Sequence, residues 1–164
     1  MMQRLYMGHK MQGRWAAVLF MMFGVIIAKD QLQVLWDKRF AERPFVSAHL
    51  EIRPVFADVP PVIMYDADAT QPVDGVWIAT IHAENGQRLF TRRGPGSYNA
   101  NIDNPKPWPW ETFFDNERGA PSPRVPDQVF KVCVRYIIEA RDTGVYDETP
   151  VFCSDYTNPE EWPK

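Results

Sequence analysis

The spacing of apolar and polar residues changes near residue 45, and the two periods predict two kinds of structure. Before that point, Trp15-Ala-Ala-Val-Leu-Phe-Met-Met-Phe-Gly-Val-Ile-Ile-Ala28 runs fourteen residues without a charge. Apolar residues at helical spacing continue through Leu32, Leu35, Trp36 and Phe40, and no Pro or Gly follows Lys29 until Pro44. As a helix, the uncharged run alone covers about 21 Å, short of the roughly 30 Å hydrocarbon layer of a bilayer. Extended to Trp36 it is long enough to span, with Lys29 reaching toward headgroups and Trp15 and Trp36 as interfacial anchors, although Asp30 and Gln31 interrupt it.

From Phe45 the period becomes two. Val46, Ala48, Leu50 and Ile52 alternate with His49, Glu51 and Arg53, the pattern of a half-buried strand. Val62 to Tyr65 is a shorter second run, left through an acidic turn from Asp66 to Pro72. Val76 to His82 and Arg88 to Thr91 flank Glu84-Asn85-Gly86-Gln87, which predicts a hairpin closed by a type I′ turn at Asn85-Gly86, and Gly94-Pro-Gly-Ser97 reads as a bend beyond it. In the last third, Phe130, Val132, Val134, Tyr136 and Ile138 share one face, with Lys131, Cys133 and Arg135 on the other. Thr149 to Tyr156 returns antiparallel, with Phe152 and Tyr156 inward and Val151, Cys153 and Asp155 outward. Five to seven short strands separated by turn signals predict a mainly β chain, an antiparallel β-sandwich behind one N-terminal helix.

Composition narrows the picture. A chain of 164 residues holds one domain of ordinary size plus an appendage. Fifteen prolines and nine glycines leave little room for long helices after residue 45. The net charge of -3 excludes the dominant basic stripe that nucleic acid requires. Arg4, Lys10 and Arg14 before the apolar run keep that end cytoplasmic, although Lys29, Lys38 and Arg39 beyond it weaken the contrast. The run is then an uncleaved signal anchor, a signal peptide cleaved after Ile26-Ile27-Ala28, or a buried helix. Under the first reading the chain divides into a basic cytoplasmic tail (1–14), a membrane helix (15–36), a juxtamembrane linker (37–44), a sandwich (45–157) and a C-terminal tail (158–164). That places it in a bacterial inner membrane with its domain periplasmic, or outside the cell if the segment is cleaved.

The chain contains two cysteines, and the strand pairing sets them opposite each other. With Cys133 facing Cys153, Arg135 faces Val151 and Ile137 faces Thr149, which leaves a connection centred on Asp142-Thr143-Gly144, where turn residues stand. A non-hydrogen-bonded antiparallel pair brings Cα atoms to about 4.5 Å, within disulfide reach, and an export signal supplies the oxidising compartment. A Cys133–Cys153 disulfide is the expectation; two unrelated thiols are the alternative.

Trp77 on a central strand, the hairpin through Asn85-Gly86 and Cys133 among apolar residues resemble the immunoglobulin-like sandwich over residues 45–157. The immunoglobulin bridge joins two sheets through the core, whereas the alternation here puts Cys133 on the outer face of one sheet. The block Val76–Tyr98, VWIATIHAENGQRLFTRRGPGSY, is also similar to that of small bacterial or prophage-encoded proteins with one N-terminal membrane helix and such a domain.

Candidate chemistry is sparse. Asp142-Thr-Gly144 has the letters of an aspartic protease motif but lacks the apolar strand end before it and a second copy, so it reads as a turn. His9, His49 and His82 have no metal-ligand spacing, and Asp66-Ala-Asp68 lacks the rest of a calcium loop, so no cofactor or metal is expected. Asn101 to Pro123 holds two tryptophans, two phenylalanines and five prolines. Pro105, Pro107 and Pro109 impose a polyproline-like backbone with Trp108 and Trp110 on different sides, and Trp110 to Asp115 is free of breakers and suits one helical turn. Trp77, Trp110 and Phe113 are the expected core anchors, with Trp108 the expected contact, rimmed by Asp103, Asn104 and Glu111, and Arg92-Arg93 a small cationic spot. The expected function is a non-enzymatic, membrane-anchored domain that binds another protein or its own copy. The alternative is a cell-wall glycan or peptidoglycan module using Trp108; a small hydrolase is remote for want of a nucleophile and base pair.

Overall fold

The computed structural model describes residues 15, 18–26, 28–29, 31–32, 35–36, 39–40, 42–56, 59–100, 106–115 and 121–163. The chain divides into two compact units, Met1–Ala41 and Glu42–Lys164. In the first, the described residues between Trp15 and Phe40 are helical, and the rings of Trp36 and Phe40, four residues apart, meet at 4.3 Å. Among the described residues no helix is long and apolar enough to cross a membrane. The basic tail expected over 1–14 lies outside the described residues.

The second unit is mainly β, in two antiparallel sheets. The smaller has the order β1-β2-β5, with β1 at Val46–Arg53, β2 at Val62–Ala69 and β5 at Lys106–Pro109. The larger has the order β4-β3-β6-β7, with β3 at Val73–Ala83, β4 at Arg88–Tyr98, β6 at Phe130–Ala140 and β7 at Tyr146–Glu148; β8, Phe152–Cys153, also pairs with β6. The period of two decides which residues fill the interior. Phe45, Val46, Leu50 and Ile63 are buried from the small sheet, and Val73, Ala79, Ile81, Phe130, Val132, Tyr136 and Ile138 from the large one.

Several boundaries differ from the sequence reading. Strand β2 does not end at Tyr65 but continues to Ala69, because Asp66 and Asp68 face outward opposite His49 and Ser47 of β1 while Ala67 and Ala69 keep the inward phase. Strand β4 runs through Gly94-Pro-Gly-Ser97 rather than bending there, and it can hold Pro95 because it is an edge strand. The hairpin loop has three residues and is not type I′: Gly86 N–H bonds to Ala83 O at 2.9 Å around Glu84-Asn85, and Gly86 then takes φ +83°.

The cysteine register is as expected: Cys133 pairs with Cys153, and the disulfide is formed, with Cα atoms 4.0 Å apart. Farther along, the pairing shifts by one residue, so that Ile137 faces Glu148 and not Thr149. Pro150 has no N–H to donate, and the Thr149 hydroxyl accepts from Tyr136 N–H at 3.0 Å in place of a ladder carbonyl. Tyr156 is also a correction: it lies on the outer face with Lys131 over its ring, whereas Phe152 stays beside Tyr136. The Asp142-Thr-Gly144 segment is a turn, with Gly144 at φ +63°. In the segment read as a tail, 158–164, the described residues are ordered by one anchor: Pro159–Glu161 forms a 3₁₀ turn and Trp162 is buried, its indole N–H on Thr157 Oγ1.

Candidate binding site

Within the proline-rich stretch, the described residues 106–115 supply one wall of a cleft between the sheets. Prolines at 107 and 109 leave β5 able to pair only as an edge, and it does so along β2 with Trp108 opposite Ile63. Ile63 is buried, so Trp108, sharing its face, is directed between the sheets and is half-buried. Pro109 then starts the short helix Trp110–Phe114, with the prolyl residue at its N-terminal boundary. Trp110 and Phe114, four apart, are both buried with ring centres 4.7 Å apart, and Trp110 Nε1 donates to Pro123 O at 2.7 Å. The inward pair on this helix is therefore Trp110 with Phe114. Phe113, expected beside Trp110 as an anchor, is half-buried and faces Tyr65, with ring centres 5.8 Å apart.

The opposite wall is built on glycines of β4. A Cβ on Gly94 would come within 2.6 Å of the Trp77 ring, and one on Gly96 within 2.7 Å of the Tyr98 ring. Both rings thus occupy space that side chains at 94 and 96 would fill. Trp77 lies on the inward phase of β3 in mid-strand, but its ring lines the cleft, so this expected core anchor is half-buried.

Tyr65, Trp77, Tyr98, Trp108, Thr112, Phe113 and Val134 enclose a cleft of about 200 Å³. Beneath it, the hydroxyls of Tyr65 and Tyr136 are 2.5 Å apart, and Tyr98 stacks edge-on against Tyr136. Burial first, and then the neighbouring hydroxyls, push the pKa values of all three tyrosines well above the ordinary phenol range, so they stay neutral. The cleft carries no formal charge: it offers aromatic surface and hydrogen bonds. One donor is unused, since Trp108 Nε1 is buried without a hydrogen-bond partner. Such a site can hold a flat or apolar group that brings an acceptor oxygen.

Other expected contacts are dispersed. Arg92 and Arg93 point to opposite sides of β4: Arg92 is 8% exposed, sits over the Phe90 ring and donates to Pro121 O, whereas Arg93 is exposed on the outer face. Arg92 is thus a packing residue, and the two do not form a spot. Glu111 is exposed on the short helix, its carbonyl accepting from Ser122 Oγ. Asp103 and Asn104 lie outside the described residues. Among the described residues no group of three His, Cys, Asp or Glu side chains is placed to hold a metal ion. Sequence reasoning missed Tyr65 and Tyr98. A signal for Tyr98 was present: glycines two apart within a strand mark a face where something large approaches the backbone, as Tyr98 does at Gly96.

No protein-family model and no curated protein matches the chain.

Proposed function

We propose that this protein is a non-enzymatic binding protein, an immunoglobulin-like sandwich anchored by its N-terminal helix in a bacterial inner membrane, periplasmic in its sandwich, that engages another protein or a second copy through the Trp108 cleft. The observation that carries this reading is the Trp108 indole N–H, buried without an acceptor beside four other aromatic rings. Leaving such a donor unpaired costs about 1–3 kcal/mol, which an incoming carbonyl oxygen recovers. Tryptophan with tyrosine around a small apolar pocket is also the composition in which interface energy concentrates. Two antiparallel sheets with Trp77 on an inner strand support the immunoglobulin-like reading, and the bridge within one sheet remains its departure from that family. For anchoring, support comes from apolar side chains of the helical segment that are bare of protein, Phe20 at 81% exposure and Met21 at 67% among them.

A glycan-binding role through Trp108 is the second reading, favoured by the same indole as a stacking surface; half-burial of that ring leaves it less area for a sugar than an open platform would have. The test is a photo-crosslinking residue at Thr112, on the cleft rim, in intact cells, alongside sedimentation of the protein with purified peptidoglycan. A discrete protein adduct that Trp108→Ala abolishes supports the first reading. Sedimentation with peptidoglycan that depends on Trp108, without an adduct, replaces it by the second. Protease added to spheroplasts should digest the sandwich; resistance until the inner membrane is broken would place it in the cytoplasm and overturn the export.

A further inference from the structure

The outer face of the larger sheet is a different surface from the cleft. Its cross-strand pairing lines up Arg88, His82 and Lys131 in one row, Thr80, Cys133 and Cys153 in the next, and Arg93, Ile78 and Arg135 in a third. With Val151 and Tyr156 as a wall, most of these residues line an open groove of about 430 Å³. None of the residues lining it is acidic, in a chain with 21 acidic residues against 18 basic ones. Glu148 stands at one end, 2.6 Å from Arg135, and Lys131 Nζ lies 4.6 Å from the centre of the Tyr156 ring. The Cys133–Cys153 bond holds β8, and with it this wall, against β6. Val151 and Tyr156 are 57% and 46% exposed, so the groove joins bare apolar surface to cations.

We propose that this groove binds an extended acidic segment of a partner protein, in which two carboxylates flank an apolar residue in the pattern Glu-x-Leu-x-Glu. Spacing selects a peptide over a single anion. Lys131 and Arg135 are four residues apart on one strand, about 13 Å at about 3.3 Å per residue, too far for one phosphate to bridge. An extended peptide repeats its face every two residues, so carboxylates four apart match that distance and put the middle side chain over the row of Thr80, Cys133 and Cys153, beside the wall of Val151 and Tyr156. One carboxylate meets Lys131 with Arg88 and His82. The other competes with Glu148 for Arg135, which an exposed ion pair of small net worth permits.

The experiment titrates the full chain, in non-ionic detergent, into a labelled, end-blocked peptide Gly-Glu-Gly-Leu-Gly-Glu-Gly and follows anisotropy. Saturable binding is expected, weakened by about fivefold for each charge removed, whether in Lys131→Gln or in the peptide with one Gln for Glu. Lys131→Arg should retain the affinity, and high salt should weaken it. Because the Lys131 ammonium lies outside the core, unchanged thermal melts of both variants separate a binding effect from a folding one. Absence of saturation, equal binding of the all-Gln peptide, or indifference to Lys131→Gln would overturn the proposal. Displacement by inorganic phosphate at concentrations matching the peptide would also overturn it, by assigning the groove to a single anion.

Discussion

Tyr65 of the small sheet and Tyr136 of the large sheet meet through hydroxyls 2.5 Å apart, which makes this contact a polar fastening between the two layers. Both phenols, and Tyr98 beside them, have pKa values raised chiefly by burial. A raised pKa means the folded state holds its proton where the unfolded chain has lost it. The contribution is therefore complete below the unfolded value, near 10, and is lost as pH rises beyond it. Urea melts should show stability steady up to about pH 9 and falling above pH 10. Tyrosinate absorbance should show three of the six tyrosines ionising only together with unfolding. Free titration of all six in the folded protein would refute the cluster.

Gly75 and Gly94 should separate a rigid clash from a yielding one. A Cβ on Gly75 would sit 2.2 Å from the backbone oxygen of Ile137, in the middle of the sheet, with no side chain able to move aside. A Cβ on Gly94 would meet the Trp77 ring, which has the cleft to move into. Gly75→Ala should cost roughly 3 kcal/mol or more and Gly94→Ala nearer 1 kcal/mol, by denaturant melts. Only Gly94→Ala should also shift the tryptophan emission of the folded protein.

Trp110, Trp77 and Trp108 should rank in stability by their burial. Trp110→Ala removes a ring that is 2% exposed and orphans the Pro123 carbonyl, for a loss of roughly 3 to 5 kcal/mol. Trp77→Ala, half-buried, should cost about 1 to 3 kcal/mol, and Trp108→Ala less again, since it relieves an unpaired donor. An aqueous quencher should remove more of the signal contributed by Trp108 than of that contributed by Trp110. A larger stability loss in Trp108→Ala than in Trp110→Ala would reverse these assignments.

Reduction of the disulfide, or Cys133→Ser with Cys153→Ser, opens a constraint between residues 20 apart in sequence. For a loop of that size the unfolded chain regains entropy worth about 3 kcal/mol. The loss should appear as a lower urea midpoint with fold retained, because β6 keeps its pairing with β3. Two reactive thiols in the denatured, unreduced protein would show that the bond is not made.

Sequence alone determined what depends on neighbours a few residues apart. The alternation of β1 and β6, the turn at Asp142-Thr-Gly144 and the Cys133–Cys153 register follow from a period of two and from where turn residues stand. The single helical turn after Pro109 was legible for the same reason, as a run without breakers. What depends on residues far apart was decided by tertiary structure. That Lys106–Pro109 is a strand at all follows from β2 offering an edge, since its own prolines specify an extended backbone and no partner. Local spacing also left Phe113 and Phe114 undecided, and the Trp110–Phe114 pairing came from which side of the helix met Phe130 and Phe90. The cleft itself gathers Tyr65, Trp77, Tyr98 and Trp108 from four strands of two sheets. No periodicity within one strand encodes that meeting, because burial of a ring is a property of the surfaces brought against it.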